Sequence, residues 1–228
     1  MQRTTYRIVI PVANESKYIR KLLKDFPKKH LPNLIFVNDG STDNTAKIIR
    51  DFDPKITVIN HKINLGKGKS LETGTLRAIK EKAQIIIFMD GDLQHNPSDI
   101  DTFLEEFKKD KSTKIVFGAR AIGKTMRLAA FLGNKLLTIT INILFRYFLS
   151  DTQCGFRGFR ASIFNKIRWA STGYSAETEM IINAAKENLK YKEIEIETVY
   201  LDNYKGTYFI DGIVIMFKII SWRLFKWK

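Results

Sequence analysis

The run Ile85-Ile86-Ile87-Phe88-Met89 ends abruptly at Asp90-Gly91-Asp92-Leu93-Gln94. An uninterrupted apolar run rich in β-branched residues, without a 3.6-residue period, specifies a strand covered on both faces. Such a strand belongs to a parallel sheet, so the rest of the chain must supply helices for two sides of it. Its end then lies at the crevice beyond the strand C-termini, where open α/β sheets bind ligands. Two acids there either face a ligand or form a solvated acidic turn. In extended chain, residues two apart point the same way, so Asp90 and Asp92 are expected on one side with Gln94 following, and Gly91 is expected to admit a ligand to the backbone. Three hard oxygen donors suit Mg2+ or Mn2+, which take few protein ligands and complete their shells with water and substrate phosphates.

The same arrangement recurs along the chain. Arg7 to Val12 is a strand, and Asn14-Glu15-Ser16 opens a helix to about Phe26. Leu34 to Val37 is a strand ending at Asn38-Asp39-Gly40-Ser41-Thr42-Asp43, with a helix from Asn44 to Phe52. Ile56 to Ile59 is a third strand, and Asn64-Leu65-Gly66-Lys67-Gly68-Lys69-Ser70 leads into a helix ending near Lys82. Past the central acids, Pro97-Ser98 starts a helix with Asp99 and Asp101 in its first turn, where the helix dipole favours acids. Ile115 to Phe117 is a fifth strand, ending at Arg120. Strand and helix in alternation specify an α/β fold, Rossmann-like, with a mostly parallel sheet flanked by helices. Beyond residue 120 the alternation lapses into a long helix over Thr125–Leu149, short helices near Ser162 and over Ala176–Lys186, a strand over Ile194–Val199 and a last helix from Tyr208. With no Pro- or Gly-rich linker, the 228 residues are expected to form one domain.

A formal charge of +14 calls for anionic company: nucleic acid, lipid headgroups or phosphorylated substrates. The cations are dispersed, and neither zinc-finger spacing nor an RNA-binding aromatic signature is present, so nucleic acid is not an expected partner. The single cysteine, Cys154, excludes an internal disulfide, fits a reducing compartment and is expected as a small core residue. No signal peptide is read before the first strand. Charges at Arg127, Lys135 and Arg146 break the long helix below the ~20 apolar residues of a span. On a helical projection Arg127, Lys135, Thr138, Asn142 and Arg146 fall within about a third of the circumference, against a Leu/Ile/Phe face. That pattern suits a helix in a membrane interface, basic side toward the headgroups, or one packed on its own core. The last helix places Ile213, Phe217, Ile220 and Leu224 on one face, with Lys218, Trp222, Arg223, Lys226, Trp227 and Lys228 as interfacial anchors.

The glycine-rich loop is neither a P-loop nor a dinucleotide fingerprint, since Ile63 and Leu71 stand where those patterns need glycine. Lys67 and Lys69, with backbone amides at a helix N-terminus, remain candidates for holding an anion, or form a solvated turn. Asp39, Asp90 and Asp92 share one sheet edge with this loop between them in sequence, which suits a nucleotide diphosphate with its metal. Taken in order, Pro11-x-x-Asn14-Glu15, Asp39-Gly40-Ser41-Thr42-Asp43, Asn64-x-Gly66-Lys67-Gly68, Asp90-Gly91-Asp92-Leu93-Gln94 and Asp151-Thr152-Gln153-Cys154-Gly155-Phe156 resemble the successive motifs of glycosyltransferase family 2. Within this inverting GT-A family the pattern is most similar to the dolichyl-phosphate glucose and mannose synthases.

That resemblance implies that Pro11, Glu15 and Asp39 line the nucleoside pocket and that Asp90, Asp92 and Gln94 hold Mg2+ or Mn2+ on the diphosphate, with Gly91 and Lys67 beside the nucleotide sugar. Arg120 and Arg127 match basic positions near an acceptor phosphate. It implies a hexose transferred from a nucleotide-diphosphate sugar to a polyprenyl phosphate by a peripheral protein at the cytoplasmic face of a membrane. Residues 1–120 would form the nucleotide-sugar half, and residues 121–228 the acceptor and membrane-facing half. A hydroxyl acceptor, on a glycolipid or glycan, and a non-catalytic sugar-nucleotide-binding module are the alternatives. Glu177 and Glu179, near a helix start, are either acids answering the helix dipole or residues on the acceptor side, one of them a base.

Overall fold

The computed structural model describes residues 4–120, 128–198 and 209–225. Strands β1 (Tyr6–Val12), β2 (Leu34–Asp39), β3 (Thr57–His61) and β4 (Ile85–Phe88) alternate with helices α1 (Ser16–Asp25), α2 (Thr45–Phe52) and α3 (Lys67–Lys80). Helix α4 (Asp99–Lys109), strand β5 (Ile115–Arg120), helix α5 (Leu128–Phe145), strand β6 (Arg157–Arg160), helices α6 (Phe164–Ile167) and α7 (Ser175–Lys186), strand β7 (Tyr191–Ile196) and helix α8 (Phe209–Leu224) follow. One seven-stranded sheet has the order β3-β2-β1-β4-β6-β5-β7. β1 pairs in parallel with β2 and β4, β2 with β3, and β5 with β7, whereas β6 runs antiparallel to both β4 and β5.

Strand β4 is central and wholly buried, as its sequence requires. Ile86 and Phe88 enter a core shared with α3, α5, α6, α7 and α8, while Ile85, Ile87 and the following Met89 enter the opposite core, under α1, α2 and α4. Side chains pointing to alternate faces along one strand thus anchor two helical layers. Helix α1 docks by Ile19, Leu22 and Leu23, spaced to share one helix face.

Strand β6 is invisible to hydrophobic patterning because its sequence is Arg-Gly-Phe-Arg. It is central nonetheless. Arg157, 1% exposed, donates to the carbonyls of Cys154 and Glu177 and lies over the Phe117 ring, and Arg160 donates to the carbonyls of Phe107 and Thr113. Backbone carbonyls thereby solvate two guanidinium groups inside the fold. β7 begins and ends three residues earlier than its expected place, because Ile115 to Arg120 pair with Tyr191 to Ile196.

Helix α5 orients opposite to one expectation. Thr138 is buried and bonds Thr152, and Asn142 exchanges hydrogen bonds with the backbone of Leu149, so these polar groups turn inward rather than toward headgroups. Leu132, Leu136, Ile139 and Ile143 are the exposed stripe. Two inward hydrogen-bonding partners in the 149–152 loop outweigh the loss of apolar burial on the other side. On α8, which packs against α5, Ile213, Phe217, Ile220 and Leu224 are exposed together as expected, but Trp222 is buried rather than interfacial. Lys226, Trp227 and Lys228 lie outside the described residues.

Candidate active site

Beyond the C-terminal ends of β1, β2, β4 and β5 lies a cleft of about 370 Å³, lined by Pro11, Glu15, Asp39, Lys67, Asp90, Gly91, Asp92, Gln94, Arg120 and Glu177 among others. The fold therefore gathers residues from positions 11 to 177 at one edge. Of the residues singled out in the sequence as site candidates, Lys69 and Glu179 do not line it, and Arg127 lies outside the described residues.

Asp39 closes β2 and is 4% exposed. Its Oδ1 accepts from the Leu65 amide (2.9 Å) and lies 2.8 Å from His61 Nδ1, and its Oδ2 accepts from the Gly66 amide (2.8 Å). The carboxylate thus anchors the glycine-rich loop as well as facing the cleft. Gly66 holds a φ of +93°, and a side chain there would meet the Thr172 carbonyl.

The loop is not an open anion cradle. The Gly68 and Lys69 amides both donate to the Thr172 carbonyl, Lys69 Nζ bonds Glu72, and the Trp169 indole donates to the Gly68 carbonyl. The segment after α6 occupies the α3 N-terminus. Lys67 instead reaches sideways, its Nζ 2.6 Å from Asp90 Oδ1 and 3.2 Å from Glu177 Oε2, and over the Tyr174 ring. Burial alone would lower its pKa, but Asp90 and Glu177 outweigh burial and hold the ammonium well above the usual lysine range.

Asp90 is fixed on several sides. Besides Lys67, His95 Nε2 stands 3.6 Å from Oδ2, and Gly155 packs directly on the carboxylate. Burial pushes the Asp90 pKa up, yet Lys67 and then His95 prevail, leaving it well below the usual carboxylate range. Asp92 is shifted the other way, raised by burial and then by the charge of Asp90. The two acids do not converge through extended alternation, since β4 ends at Phe88. A turn brings them round, with Leu93 at a φ of +67° and the Gln94 amide donating to Asp92 Oδ1. A leucine in the left-handed region is strained, and its partial burial in the core beneath holds it there. Gly91 lines the cleft, but its missing side chain serves close packing, as an ideal Cβ would lie 2.7 Å from Val12 Cγ1.

Asp90, Asp92 and Gln94 line the cleft together, so their two carboxylates and one side-chain amide oxygen are the oxygen donors that could hold a cation there. Among the described residues no three His, Cys, Asp or Glu side chains form a closed cage. An open, all-oxygen partial shell fits Mg2+ or Mn2+ rather than a structural zinc.

Arg120 is committed to Asp151, Nε to Oδ2 at 2.6 Å and Nη2 to Oδ1 at 3.0 Å, and only 8% of its side chain is exposed. An acceptor phosphate would have to share it with that carboxylate. Glu179 is 9% exposed and accepts from the Ala170 and Ser171 amides through its two oxygens, so it holds a loop and is not placed to act as a base. Cys154 is a buried thiol, its pKa pushed up to about 12 by burial and then by Asp151. Sequence reasoning missed His95, although it directly follows Gln94. It also missed the pairing of Asp151 with Arg120, which joins positions 31 residues apart.

Comparison with known proteins identifies the fold and the family. The chain is 34% identical over 226 residues to an uncharacterised protein of Methanocaldococcus jannaschii, covering 96% of this chain and 92% of that one. It is 28% identical to the UDP-N-acetylglucosamine–dolichyl-phosphate N-acetylglucosaminyltransferase of Methanococcus voltae, with 96% of each chain covered. Glucosyl-3-phosphoglycerate synthase from Mycobacterium tuberculosis, solved with Mn2+, UDP-glucose and phosphoglyceric acid, shares the fold at a TM-score of 0.76 and 15% identity, over 96% of this chain and 78% of that one. The model of glycosyl transferase family 2 matches residues 7–168, from β1 past α6, and so takes in every cleft residue up to Gly155 but not α7 with Glu177: the chain belongs to that family.

Proposed function

We propose that this glycosyltransferase moves a hexose from a nucleotide-diphosphate sugar to a polyprenyl phosphate with inversion, working peripherally at the cytoplasmic face of a membrane. The observation that carries the reading is the Asp90–Asp92 turn at the end of a fully buried central strand, opening into a cleft that also holds Asp39 and Lys67. The relative from Methanococcus voltae, whose name states a dolichyl-phosphate acceptor, supports the same acceptor class.

Residues 1–120 would supply the donor site, with Pro11, Glu15 and Asp39 around the nucleoside. Asp92 and Gln94, with Asp90 beside them, would hold Mg2+ or Mn2+, which when bound neutralises charge on the departing diphosphate. Lys67 and His95 keep Asp90 fixed, and Gly155 closes the site against it. A phosphate acceptor is already an anionic nucleophile at neutral pH, so it needs cations to orient it and no general base. Residues 121–228 would supply that side, with Arg127 and, shared with Asp151, Arg120. Glu177 Oε2 is taken up by the Lys67 ammonium at 3.2 Å rather than left open to a hydroxyl proton, which disfavours the hydroxyl-acceptor alternative.

The exposed stripes of α5 and α8 support membrane attachment. Leu132, Leu136, Ile139 and Ile143 are exposed on α5 and Ile213, Phe217, Ile220 and Leu224 on α8, two helices that pack together, which is more exposed apolar area than scattered single residues make. No described helix is long and apolar enough to cross a membrane. The unpaired buried cysteine fits a reducing compartment.

The test is a matrix of UDP- and GDP-sugars against polyprenyl phosphate and free polyprenol in liposomes, with Mn2+ or Mg2+. Organic-extractable glycosyl phosphate, formed only with the phosphorylated acceptor and released by mild acid, is the expected product. Transfer to the free alcohol or to a soluble glycan instead would replace this acceptor assignment.

A further inference from the structure

Lys67 and Glu177 carry charges that the donor and acceptor assignments leave unexplained. Lys67 Nζ is 2.6 Å from Asp90 and 3.2 Å from Glu177, with side-chain exposures of 18%, 23% and 12% respectively. Glu177 comes from the first turn of α7, Lys67 from the first turn of α3 and Asp90 from the turn that follows β4, so three parts of the fold meet at one ammonium. Glu177 Oε1 is buried and has no hydrogen-bond partner among the described residues. A carboxylate half satisfied in this way raises the negative potential of the cleft, while the ammonium lowers it. Within this cluster Asp90, Asp92 and Glu177 against Lys67 leave two negative charges, the complement of one divalent cation; Glu15 and Asp39 also line the cleft. The Arg120–Asp151 pair beside them is neutral.

We propose that Glu177 and Lys67 form an internal counter-charge pair that sets the cleft's affinity for a divalent cation, Glu177 being a positioning residue that acts through Lys67 on Asp90. This rests on the metal-assisted donor site proposed above. Glu177 then neither removes a proton nor touches the acceptor. It keeps the ammonium shared, so that Asp90 retains charge toward the cation. With Glu177 neutral, Lys67 turns wholly to Asp90 and this cluster keeps one negative charge. With Lys67 neutral, three negative charges remain and the cation binds more tightly, while an anionic nucleotide binds less well. Opposite signs from two partners in one contact distinguish this role from simple packing, where losing either partner would loosen the site in the same direction.

The experiment measures Mn2+ binding to nucleotide-free protein, by the free-ion EPR signal and by calorimetry. It compares wild type, Glu177→Gln, Lys67→Met, the double variant and Glu177→Asp, with circular dichroism melts for each. Glu177→Gln is expected to weaken binding on the order of tenfold, within the range for residues that act behind metal ligands. Lys67→Met is expected to strengthen Mn2+ binding by a similar factor and weaken UDP binding. The double variant, with the wild-type net charge, should return to within about threefold of wild type, and Glu177→Asp, which keeps the charge, should stay there as well. If Glu177→Gln does not fold, Lys67→Met decides the matter: tighter Mn2+ binding than wild type supports the pair, and unchanged or weaker binding overturns it. Wild-type binding with Glu177→Gln unchanged, or both single variants moving the same way, overturns this proposal alone. No saturable Mn2+ binding by the wild type, with or without UDP, overturns it together with the metal-assisted donor site.

Discussion

Replacing Gly155 by alanine asks how firmly Asp90 is fixed. An ideal Cβ at this position would lie 2.3 Å from Asp90 Oδ2, 2.9 Å from Cγ and 3.1 Å from Oδ1. Carbon and oxygen need about 3.3 Å, so the carboxylate must retreat by about 1 Å. A free aspartate would rotate away at small cost, but this one is held by Lys67 at 2.6 Å and faced by His95 at 3.6 Å. The backbone behind it is no easier to move, because Gly91 already packs against Val12. Overpacking of this kind costs about 1–3 kcal/mol of stability. The larger effect falls on activity, since a misplacement of about 1 Å in a positioned group costs on the order of 10²-fold in rate. Initial rates of nucleoside diphosphate release should therefore fall about a hundredfold, while a urea melt shows the fold intact. Gly133→Ala is the control. That residue is exposed in α5 with nothing within 4 Å of an ideal Cβ, so turnover should be unchanged and stability should rise by up to about 1 kcal/mol. Gly155→Ala with turnover within about threefold of wild type would refute the claim that Asp90 is held rigidly.

Asp92→Asn should lower turnover by about 10² or more at unchanged melting temperature; transfer that persists in EDTA would remove the metal from the reaction. Glu179→Ala leaves the Ala170 and Ser171 amides without their acceptor and should cost about 1–3 kcal/mol in a chemical melt; an unchanged midpoint would show that this loop is not held by it. Cys154 should resist alkylation at pH 8 until the protein unfolds, because its thiol is raised from 9.0 to about 12. The sign follows: the neutral thiol favours the fold, and its contribution is complete below the unfolded pKa near 9 and lost as pH rises toward about 12. Rapid labelling of native protein would contradict the burial. Serine at Leu136, Ile143 and Phe217, all exposed, should leave the fold and the turnover of a short-chain water-soluble acceptor intact while abolishing flotation with anionic liposomes. Undiminished flotation would assign the surface to another partner.

Where strands lie, and which of them end in acids, could be read from local order alone. A strand buried on both faces must be apolar throughout, so Ile85 to Phe88 announced a covered central strand and Asp90 its functional edge. The same holds for Asp39 at the end of β2 and for the helices whose apolar residues recur at helical spacing. Strand β6 escaped this reading because its arginines are solvated by carbonyls of Cys154, Glu177, Phe107 and Thr113, partners that only the folded chain brings near. The inward turn of Thr138 and Asn142 likewise depended on the 149–152 loop, since a helical projection ranks faces by polarity and cannot see a waiting hydrogen-bond partner. Residue types at the cleft were legible, but their roles were not. Lys67 looked like an anion ligand until the fold set it between Asp90 and Glu177, and Glu179 looked catalytic until its oxygens met the amides of Ala170 and Ser171. Periodicity reports the local competition between burial and hydration, which each segment settles within a few turns. Charge pairing is settled by contacts across more than a hundred residues, as between Lys67 and Glu177, and those exist only once the sheet has closed.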